Sequence, residues 1–395
     1  MILIDLSHTS HTRARTGVQK VSRSLFTALA GSQETDVCAV TWDPYRQVWR
    51  RLLPFESGTL SGDVPGTHRG AHWPWSTKIR GQVGRWAKRA APPLPEASGL
   101  IVPEIFSADV AAHFPLLTRQ ITGPRVALFH DAIALKLPEM TPARTVARFP
   151  AYMRELLAFD GVAAVSEDSR NALVDWWRWL GVVNAPEVTA LPLGVEAPKA
   201  DPVLARTTTH PVVLCVGTLE GRKNHLALLE ACETLWKQGH RFELRLVGMA
   251  HPETGREALQ RLHALQNAGH PLRYDGAADE RTLNAAYHEC AFTVYPSRME
   301  GFGLPVLESL GYGKPCICSA QGALGESSRD GGCLALPSVD SASLASAIGW
   351  LLANPEQYQR LSFAARERKR KSWESYAGEL LTWMKSLRIR SSSAG

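Results

Sequence analysis

The stretch YPSRMEGFGLPVLESLGYGKPCICS, from Tyr295 to Ser319, determines how the rest of the chain is interpreted. An apolar run ends at its start, and in the glycine-rich loop that follows Glu300 precedes Gly301-Phe302-Gly303. Apolar residues then recur at helical spacing from Leu304 to Leu310, and Gly313-Lys314-Pro315 ends this predicted helix before a second apolar run. A strand, a glycine-rich loop, a helix and a second strand in this order are typical of a parallel α/β sheet.

Two carboxylates of this stretch are placed for ligand binding, Glu300 in the loop and Glu308 on the predicted helix. The first turn of a helix offers free backbone N–H groups to a phosphate, and glycines let a ligand approach the backbone closely. Carboxylates eight positions apart can each accept hydrogen bonds from vicinal hydroxyls. This combination favours a ligand that carries both phosphates and sugar hydroxyls, as a nucleotide sugar does.

The stretch resembles the E-x7-E motif of family 4 glycosyltransferases, which are retaining enzymes with the GT-B fold. The segment VGTLEGRKNHLALLEA, from Val216 to Ala231, is similar to the phosphate loop of the same family. The resemblance covers essentially the whole chain, and the pair of motifs is specific, whereas E-x7-E alone occurs by chance in many proteins. It implies two Rossmann-like parallel-sheet domains that face each other across a cleft. The acceptor-side domain would span residues 1–194, and the nucleotide-sugar-binding domain residues 195–372. A C-terminal helix, about residues 373–390, would cross back to the first domain.

Composition agrees with two soluble domains. The chain has 395 residues, of which 45% are hydrophobic and 21% are charged. Its net charge of +6 and pI near 9.0 suit anionic partners such as nucleotide diphosphates, acidic membrane surfaces or nucleic acid. No stretch approaches the roughly 20 apolar residues that a membrane span needs. Because Asp5 follows Met1–Ile4 directly, this segment indicates a first strand rather than a signal peptide, and we expect a cytoplasmic protein.

Cysteine and metal motifs point to no metal centre. The seven cysteines are odd in number and lie mostly in apolar runs, as small buried side chains do in a reducing cytoplasm. Cys316 and Cys318 alternate along a predicted strand without a second Cys or His pair at ligand spacing. The chain also lacks an Asp-x-Asp motif and a G-x-G-x-x-G fingerprint. We therefore expect no metal and no cofactor, with the nucleotide sugar acting as a substrate.

The second half of the chain alternates regularly. Predicted strands lie at 211–216, 242–247, 271–275, 292–295, 315–319 and 333–336, and predicted helices lie at about 225–238, 255–267, 279–289, 304–312 and 341–353. Such alternation gives a parallel sheet, whose ligands bind past the carboxyl ends of the strands. Lys223 and Glu300 each follow a predicted strand, as does His130 after the predicted strand 126–129. We expect all three at ligand-binding edges.

The basic dipeptide Arg222-Lys223 follows the predicted strand 211–216 and precedes a helix that Asn224 can cap. Cations beside a helix N-terminus hold a diphosphate, and they stabilise the negative charge that builds up as a sugar–phosphate bond breaks. Some family members carry a further arginine where this chain has Thr218. Either Arg222 and Lys223 then do most of the phosphate binding, or the N-terminal loop contributes through Arg13, Arg15 and Lys20.

The resemblance assigns roles to individual residues. His130, Lys223 and Glu300 are the expected catalytic residues, and Glu308 is expected to bind the ribose hydroxyls. The expected donor-binding residues are Gly17, Arg222, Lys223, Ser297, Glu300, Gly301, Phe302, Gly303, Leu304 and Glu308. From the residues alone, Gly17 is a turn glycine. A lone histidine is usually structural or on the surface, but the position of His130 at a strand end and the following Asp131 favour a structural and a functional role equally.

The resemblance implies transfer of a sugar, with retention of configuration, from a nucleotide-diphosphate sugar to a glycan or lipid-linked saccharide in cell-surface polysaccharide assembly. The segment TGVQKVSR, Thr16 to Arg23, is similar to that of polysaccharide mannosyl- and rhamnosyltransferases. It favours GDP-mannose over a UDP-sugar or dTDP-rhamnose. Two alternatives stay open, a GT-B nucleotide-sugar epimerase and a non-catalytic scaffold of the same fold. We expect no nucleic-acid partner, because the basic run from Arg366 to Lys371 belongs to no nucleic-acid-binding module and is most simply a solvated helix face.

A short segment from Lys78 to Arg89 bears on membrane contact. It carries Ile79, Val83 and Trp86 on one side and most of its basic residues elsewhere. This pattern is typical of a helix that lies on an anionic membrane, which would make the protein peripheral at the inner membrane face. A solvated helix packed over the domain edge fits the same pattern.

Overall fold

The computed structural model describes residues 1–14, 17–33, 35–61, 71–86, 92–196 and 210–390. It divides into two compact units. The first unit comprises Met1–Asp131, Arg148–Gly194 and Trp373–Gly395, and the second comprises Ala132–Ala147 and Val195–Ser372. The segment Ala132–Ala147, which the sequence assigns to the first domain, groups with the second unit. The sequence from Gly194 to His210 is rich in Pro and Thr, with little periodicity, and predicts a linker; most of it lies outside the described residues, as do residues 391–395.

The first unit is built on a sheet whose described strands number seven, in the order β3-β2-β1-β4-β5-β6-β7. They are β1 (Ile2–Asp5), β2 (Val37–Asp43), β3 (Val48–Arg51), β4 (Leu100–Val102), β5 (Arg125–Phe129), β6 (Gly161–Ala164) and β7 (Glu187–Ala190). All neighbours run parallel except β2 and β3, which form an antiparallel hairpin. The sequence did not predict β3.

Helices connect the strands of both sheets. In the described part of the chain they are α1 (Gly17–Ala30), α2 (Pro54–Ser61), α3 (Trp75–Trp86), α4 (Ala108–Thr118), α5 (Ile133–Lys136), α6 (Ala143–Glu155), α7 (Glu167–Trp179), α8 (His225–Lys237), α9 (Arg256–Asn267), α10 (Glu280–Glu289), α11 (Leu304–Gly311), α12 (Gly322–Ser328), α13 (Ser341–Ala353), α14 (Pro355–Glu367) and α15 (Trp373–Ser386). Ser166 caps α7, because its Oγ accepts a hydrogen bond from the backbone N–H of Ser169 at 3.1 Å.

The polar loop after β1 is packed rather than solvated. His11 Nε2 lies 2.8 Å from Glu56 Oε1, and both side chains are fully buried. Arg50 of β3 pairs with Glu56 at 2.7 Å and with Asp43 at 2.8 Å, and Trp73 stacks on the His11 ring at 3.7 Å. Buried charges are stable only when paired in this way. The network therefore fixes β3 and α2 to the loop.

The last helix belongs to the first unit, as the fold prediction requires. Tyr376 and Leu380 of α15 are completely buried. Trp383 Nε1 donates a hydrogen bond to Glu187 Oε1 at 2.8 Å. A methyl group added to Gly161 would lie 2.8 Å from the Trp383 ring, so the glycine at the start of β6 leaves room for the helix.

The basic run before α15 is not a helix face, contrary to expectation. Only Arg366 lies on a helix, and Arg368–Lys371 have no helical structure. Arg368 donates to the carbonyl oxygen of Gly331, and Arg370 donates to that of Gly311 at 2.9 Å. These arginines hold the segment against the second unit.

The second unit has a parallel sheet whose described strands number six, in the order β10-β9-β8-β11-β12-β13. They are β8 (Val212–Val216), β9 (Glu243–Val247), β10 (Leu272–Tyr274), β11 (Phe292–Tyr295), β12 (Cys316–Ser319) and β13 (Cys333–Leu336). Every predicted strand and helix of this half is confirmed to within one residue at each end, while α12 and α14 were not predicted. None of the described helices is both long and apolar enough to cross a bilayer.

Candidate functional site

The loop between β8 and α8 carries the basic dipeptide. β8 ends at Val216, and the chain turns at Gly217, whose φ of +150° is rare for residues with side chains. A 3-10 turn, Gly221–Lys223, then brings Arg222 and Lys223 to the carboxyl edge of the second sheet. This is the edge at which open parallel sheets bind their ligands.

The prediction that Asn224 caps α8 is wrong. Its backbone is left-handed, with φ 57° and ψ 33°, and its side chain makes no capping hydrogen bond. Its Nδ2 instead donates to the carbonyl oxygen of Val339 at 2.7 Å. Asn224 therefore ties the phosphate loop to the loop between β13 and α13.

The glycine-rich loop between β11 and α11 is held against α12. Gly303 has a φ of +97°, and a Cβ on this residue would lie 2.9 Å from the Leu324 side chain, so the position requires glycine. The carbonyl oxygen of Phe302 accepts a hydrogen bond from Ser327 Oγ at 2.6 Å. These contacts fix the path of the loop that carries Glu300.

Glu300 joins the two predicted motifs in one ion-pair cluster. Its Oε2 lies 2.8 Å from Arg222 Nη1, and its Oε1 lies 2.7 Å from Lys223 Nζ. Arg222 also pairs with Glu220 at 2.7 Å and donates to the carbonyl oxygen of Met299 at 3.2 Å. The loops after β8 and β11 therefore meet at one edge of the sheet, as predicted from the strand order.

The protonation of Glu300 follows from its surroundings. Its burial raises its pKa, but Arg222 and Lys223 outweigh burial and lower the pKa to about 2. Burial also lowers the pKa of the Lys223 ammonium, and the attraction of Glu300 opposes that effect. At neutral pH Glu300 is thus a carboxylate held between two cations.

Glu308 lies half-buried on α11, and its partner is a tyrosine. Glu308 Oε2 accepts a hydrogen bond from the Tyr287 hydroxyl at 3.0 Å. The Tyr287 ring stacks on Tyr312 at 4.8 Å, which fixes the direction of the hydroxyl. A half-buried carboxylate on an otherwise apolar helix needs a hydrogen-bond partner, and Tyr287 supplies one.

His130 lies in the first unit, directly after β5, and is 6% exposed. Its Nε2 is 2.7 Å from the carbonyl oxygen of Pro103. Since a carbonyl oxygen only accepts, Nε2 carries the proton. Burial lowers the pKa of His130, so its ring is neutral at pH 7 and Nδ1 is a hydrogen-bond acceptor.

The other predicted site residues divide between the two units. Gly17 opens α1 in the first unit, where a Cβ on it would contact no atom within 4 Å. Ser297 is completely buried, while Gly301 and Leu304 are half-buried. The second unit thus gathers every predicted donor-binding residue except Gly17, and His130 and Gly17 stand in the first unit.

Two tyrosines beside the site were missed in the sequence. Tyr287 contacts Glu308, and Tyr295 contacts Lys223, whose Nζ donates a hydrogen bond to the Tyr295 hydroxyl. The position of Tyr295 as the last residue of β11, at the ligand-binding edge, was the available signal. No pattern in the sequence distinguishes Tyr287 from an ordinary core tyrosine.

In the described part of the chain, no group of three or more His, Cys, Asp or Glu side chains is arranged to hold a metal ion. The charged cluster around Glu300 contains two basic side chains, Arg222 and Lys223. Its chemistry suits direct binding of an anion.

Comparison with known proteins finds a family model that matches part of the second unit. Residues 197–368 match the family model for glycosyl transferases group 1. The serotype-specific mannosyltransferase WbdA of Escherichia coli is 26% identical to this chain over 348 residues, which cover 78% of this chain and 37% of WbdA. The chain thus spans little more than a third of that relative.

Solved structures identify the fold. Sucrose-phosphate synthase of Thermosynechococcus elongatus superposes with a TM-score of 0.67 at 22% identity, over 97% of each chain. HepE of Anabaena, solved with UDP-glucose, superposes with a TM-score of 0.68 at 14% identity, over 98% of this chain and 99% of HepE. The chain therefore has the GT-B fold, and its residues 197–368 match the model for glycosyl transferases of group 1.

Proposed function

We propose that this protein is a retaining, metal-independent hexosyltransferase that uses a nucleotide-diphosphate sugar and extends a glycan or lipid-linked saccharide in cell-surface polysaccharide assembly. The observation that carries the proposal is the cluster of Arg222, Lys223 and Glu300 at the carboxyl edge of the second sheet. Glu308 follows on the next helix. The cations proposed to bind a diphosphate and the carboxylates proposed to bind sugar hydroxyls thus lie near the same edge of the second sheet.

The two cations are proposed to stabilise the leaving nucleoside diphosphate. Breaking the bond between the anomeric carbon and the phosphate oxygen moves negative charge onto that oxygen. Arg222 and Lys223 are held in place by Glu300 before the reaction, so they need little rearrangement as this charge develops. Such preorganisation stabilises the transition state more than the ground state.

The acceptor is proposed to attack from the face that the diphosphate leaves, so the configuration at the anomeric carbon is retained. The acceptor hydroxyl then passes its proton to the departing phosphate oxygen, and no protein nucleophile is needed. His130 is proposed to accept a hydrogen bond from a sugar hydroxyl through Nδ1, since its Nε2 proton is engaged by Pro103.

We propose GDP-mannose as the donor, with a UDP-sugar or dTDP-rhamnose as the alternatives. The mannosyltransferase activity in the name of WbdA supports mannose, whereas the UDP-glucose bound to HepE supports a UDP-sugar. A thermal-shift panel of UDP, GDP, dTDP and ADP separates these, because a ligand that binds the native state raises the melting temperature. Glu308→Ala is expected to reduce the shift given by the preferred nucleotide.

Product analysis then tests the reaction. We expect sugar transfer only when an acceptor saccharide is present, an unchanged rate in EDTA, and an α-linked product from an α-linked donor by NMR. An epimerised or free sugar formed without acceptor indicates the epimerase instead. No nucleotide shift and no turnover with any donor indicate a non-catalytic scaffold.

Helix α3 supports a second proposal, that the protein contacts an anionic membrane. Trp75, Ile79, Val83 and Trp86 share one face of α3 and are 77%, 38%, 53% and 89% exposed. The helix contacts the β2–β3 turn through Gly81, where a Cβ would lie 2.7 Å from Tyr45 Cβ. The exposed face, with Lys78 and Arg85 on the same helix, suits the headgroup region of an anionic bilayer. Residues 87–89 of the predicted basic segment lie outside the described residues.

A further inference from the structure

The ammonium of Lys223 contacts both Tyr295 and Glu300. The Lys223 Nζ lies 2.7 Å from Glu300 Oε1, donates a hydrogen bond to the Tyr295 hydroxyl, and stands 4.6 Å from the centroid of the Tyr295 ring. Tyr295 is 3% exposed and Lys223 is 8% exposed. A lysine side chain has several rotatable bonds, so these contacts select one position from many.

The Lys223 ammonium keeps hydrogen-bonding capacity for a ligand. An ammonium has three donors. Among the described residues, the Tyr295 hydroxyl accepts one of them, and Glu300 Oε1 pairs with the ammonium at 2.7 Å. An oxygen of a diphosphate at this edge can accept a further hydrogen bond.

The type of partner matters for the chemistry. A second carboxylate in place of Tyr295 would orient Lys223 but would also cancel its attraction for a diphosphate. A neutral phenol accepts the same hydrogen bond without adding negative charge. Burial raises the pKa of Tyr295 well above its usual value, so the hydroxyl stays neutral.

We infer that Tyr295 is a positioning residue, whose neutral hydroxyl aims the Lys223 ammonium at the diphosphate of the donor. The inference rests on the proposed function and deepens it, because it assigns the alignment of Lys223 to a residue outside the two motifs. A purely structural role is the competing explanation, since the Tyr295 ring also packs against Val306 and Leu310.

The pH dependence of the reaction separates the two roles. The groups that face Lys223 are Glu300 and Tyr295 from β11 and its loop, Glu220 and Arg222 from its own loop, His225 from α8, and Cys215 from β8. Lys223 must be protonated to bind the diphosphate, so the rate falls as the pH rises through its pKa. Without the tyrosine hydroxyl the buried ammonium loses a hydrogen bond, and its pKa falls. The alkaline limb of the rate profile is then expected at lower pH.

The test compares wild type, Tyr295→Phe and Tyr376→Phe, with the donor that the nucleotide panel identifies. The Phe variant keeps the ring and its packing and removes only the hydroxyl. We expect kcat to fall by about 10- to 100-fold, the effect of losing a hydrogen bond to a charged group, and the alkaline limb to move to lower pH. Tyr376 is a buried tyrosine of the first unit whose hydroxyl has no partner among the described residues, so its variant should match wild type.

A double-mutant cycle gives a readout that does not need turnover. Affinity for the preferred nucleoside diphosphate is measured in wild type, Tyr295→Phe, Lys223→Met and the double variant. If Tyr295 acts through Lys223, its substitution costs affinity in wild type and nothing further in the Lys223→Met background. Equal losses in both backgrounds, or an unmoved alkaline limb, overturn the inference.

The outcome also separates this inference from the proposed function. Absence of sugar transfer by wild type defeats the proposed function. If wild type is active, Lys223→Met is inactive and Tyr295→Phe has wild-type kinetics, only the inferred role of Tyr295 is wrong. Should the Phe variant not fold, Tyr295→Met also lacks the hydroxyl and fills a similar volume, and the same shift of the alkaline limb is expected.

Discussion

Glu300 gives one carboxylate oxygen to Arg222 and the other to Lys223, although Arg222 lies 77 positions before Met299, the residue next to Glu300. At the scale of single residues, this pairing decides what each side chain can do. A carboxylate whose pKa is lowered to about 2 stays charged throughout the physiological range. The cations it holds are therefore available to a phosphate without any change in protonation of Glu300.

Replacement of Lys223 tests the proposed stabilisation of the leaving group. We expect Lys223→Ala to lower kcat by about 100- to 1000-fold, as loss of a preorganised charge-stabilising group does, with a smaller change in KM for the donor. Steady-state kinetics with a radiolabelled nucleotide sugar measure both quantities.

Lys237→Ala is the matched control, because Lys237 lies at the end of α8 with its side chain 68% exposed and paired with Glu233. It should retain wild-type kinetics. A Lys223→Ala variant with the turnover of wild type contradicts the proposed role of the basic dipeptide.

His225, two positions after Lys223, predicts a pH-dependent stability. It is 2% exposed, and neither ring nitrogen has a hydrogen-bond partner among the described residues. Burial, and then the charge of Lys223, lower its pKa to about 3, so the folded state keeps it neutral. Between its usual pKa of 6.5 and about 3, protons bind the unfolded state preferentially, and stability falls as the pH falls. The slope from this residue is about 1.4 kcal/mol per pH unit.

His225→Leu removes this dependence. Scanning calorimetry between pH 7 and pH 4 should show a smaller decrease in melting temperature for the variant than for wild type. The exposed His263 on α9 supplies the control, and His263→Leu should follow wild type. Parallel curves for wild type and His225→Leu mean that His225 is not held neutral in the fold. Other titrating groups, such as the buried Asp5, are common to all three proteins and cancel in the comparison.

At the scale of elements, helix α3 carries the membrane proposal. Substituting Trp75 and Trp86 with serine removes the two most exposed aromatic side chains of its apolar face. We expect about a 10-fold loss of binding to vesicles of phosphatidylcholine and phosphatidylglycerol in a flotation assay, because the interfacial affinity scales with buried apolar area. Binding by wild type should also weaken in high salt.

Trp179→Ser provides the control for this experiment, since Trp179 on α7 is 75% exposed but lies on another helix. It should bind vesicles as wild type does. Equal binding by the α3 variant and wild type, or no binding by wild type, contradicts the membrane proposal. Pure phosphatidylcholine vesicles show how much of the binding depends on anionic lipid.

The elements also show what the sequence could predict. In the second half, the strands are mostly apolar and the predicted helices carry apolar residues at helical spacing, so local pattern and tertiary structure agree. The missed elements β3 and α12 lack that pattern. β3 contains Arg50, whose burial depends on Glu56 and Asp43 elsewhere in the chain, and α12 has the sequence GALGESS with no apolar stripe. Their structure comes from partners that the sequence does not identify.

The residues of the candidate site also include some that the sequence predicted and some that it did not. The positions of Lys223 and Glu300 follow from the rule that parallel strands place their carboxyl ends at one edge, so the sequence predicted them. The capping role of Asn224 was wrong because its left-handed backbone depends on the loop that contains Val339. Tyr295 was missed because its contact with Lys223 joins two loops through side chains, which periodicity does not report.

At the scale of the whole molecule, the two units have separate cores. The core of the second unit includes Leu214, Val294 and Ile317, and α15 contributes Leu380 to the first unit although it follows the second in sequence. A protein with two cores need not unfold in one step. We expect calorimetry to resolve two unfolding transitions. Leu380→Ala should lower the free energy of unfolding of the first unit by about 2–5 kcal/mol and leave the second transition unchanged.

Nucleotide binding then distinguishes the units. The proposed diphosphate site lies wholly in the second unit, so the preferred nucleoside diphosphate should raise the melting temperature of that transition. Hydrogen exchange should show protection in peptides that cover 217–224 and 298–304, whose backbone flanks the ion-pair cluster of Glu300. Peptides from α15, in the first unit, should exchange at the same rate with and without nucleotide. Stronger protection of α15 than of 217–224 would contradict a diphosphate site at the edge of the second sheet, whereas protection confined to 217–224 and 298–304 fits Arg222 and Lys223 as its cations.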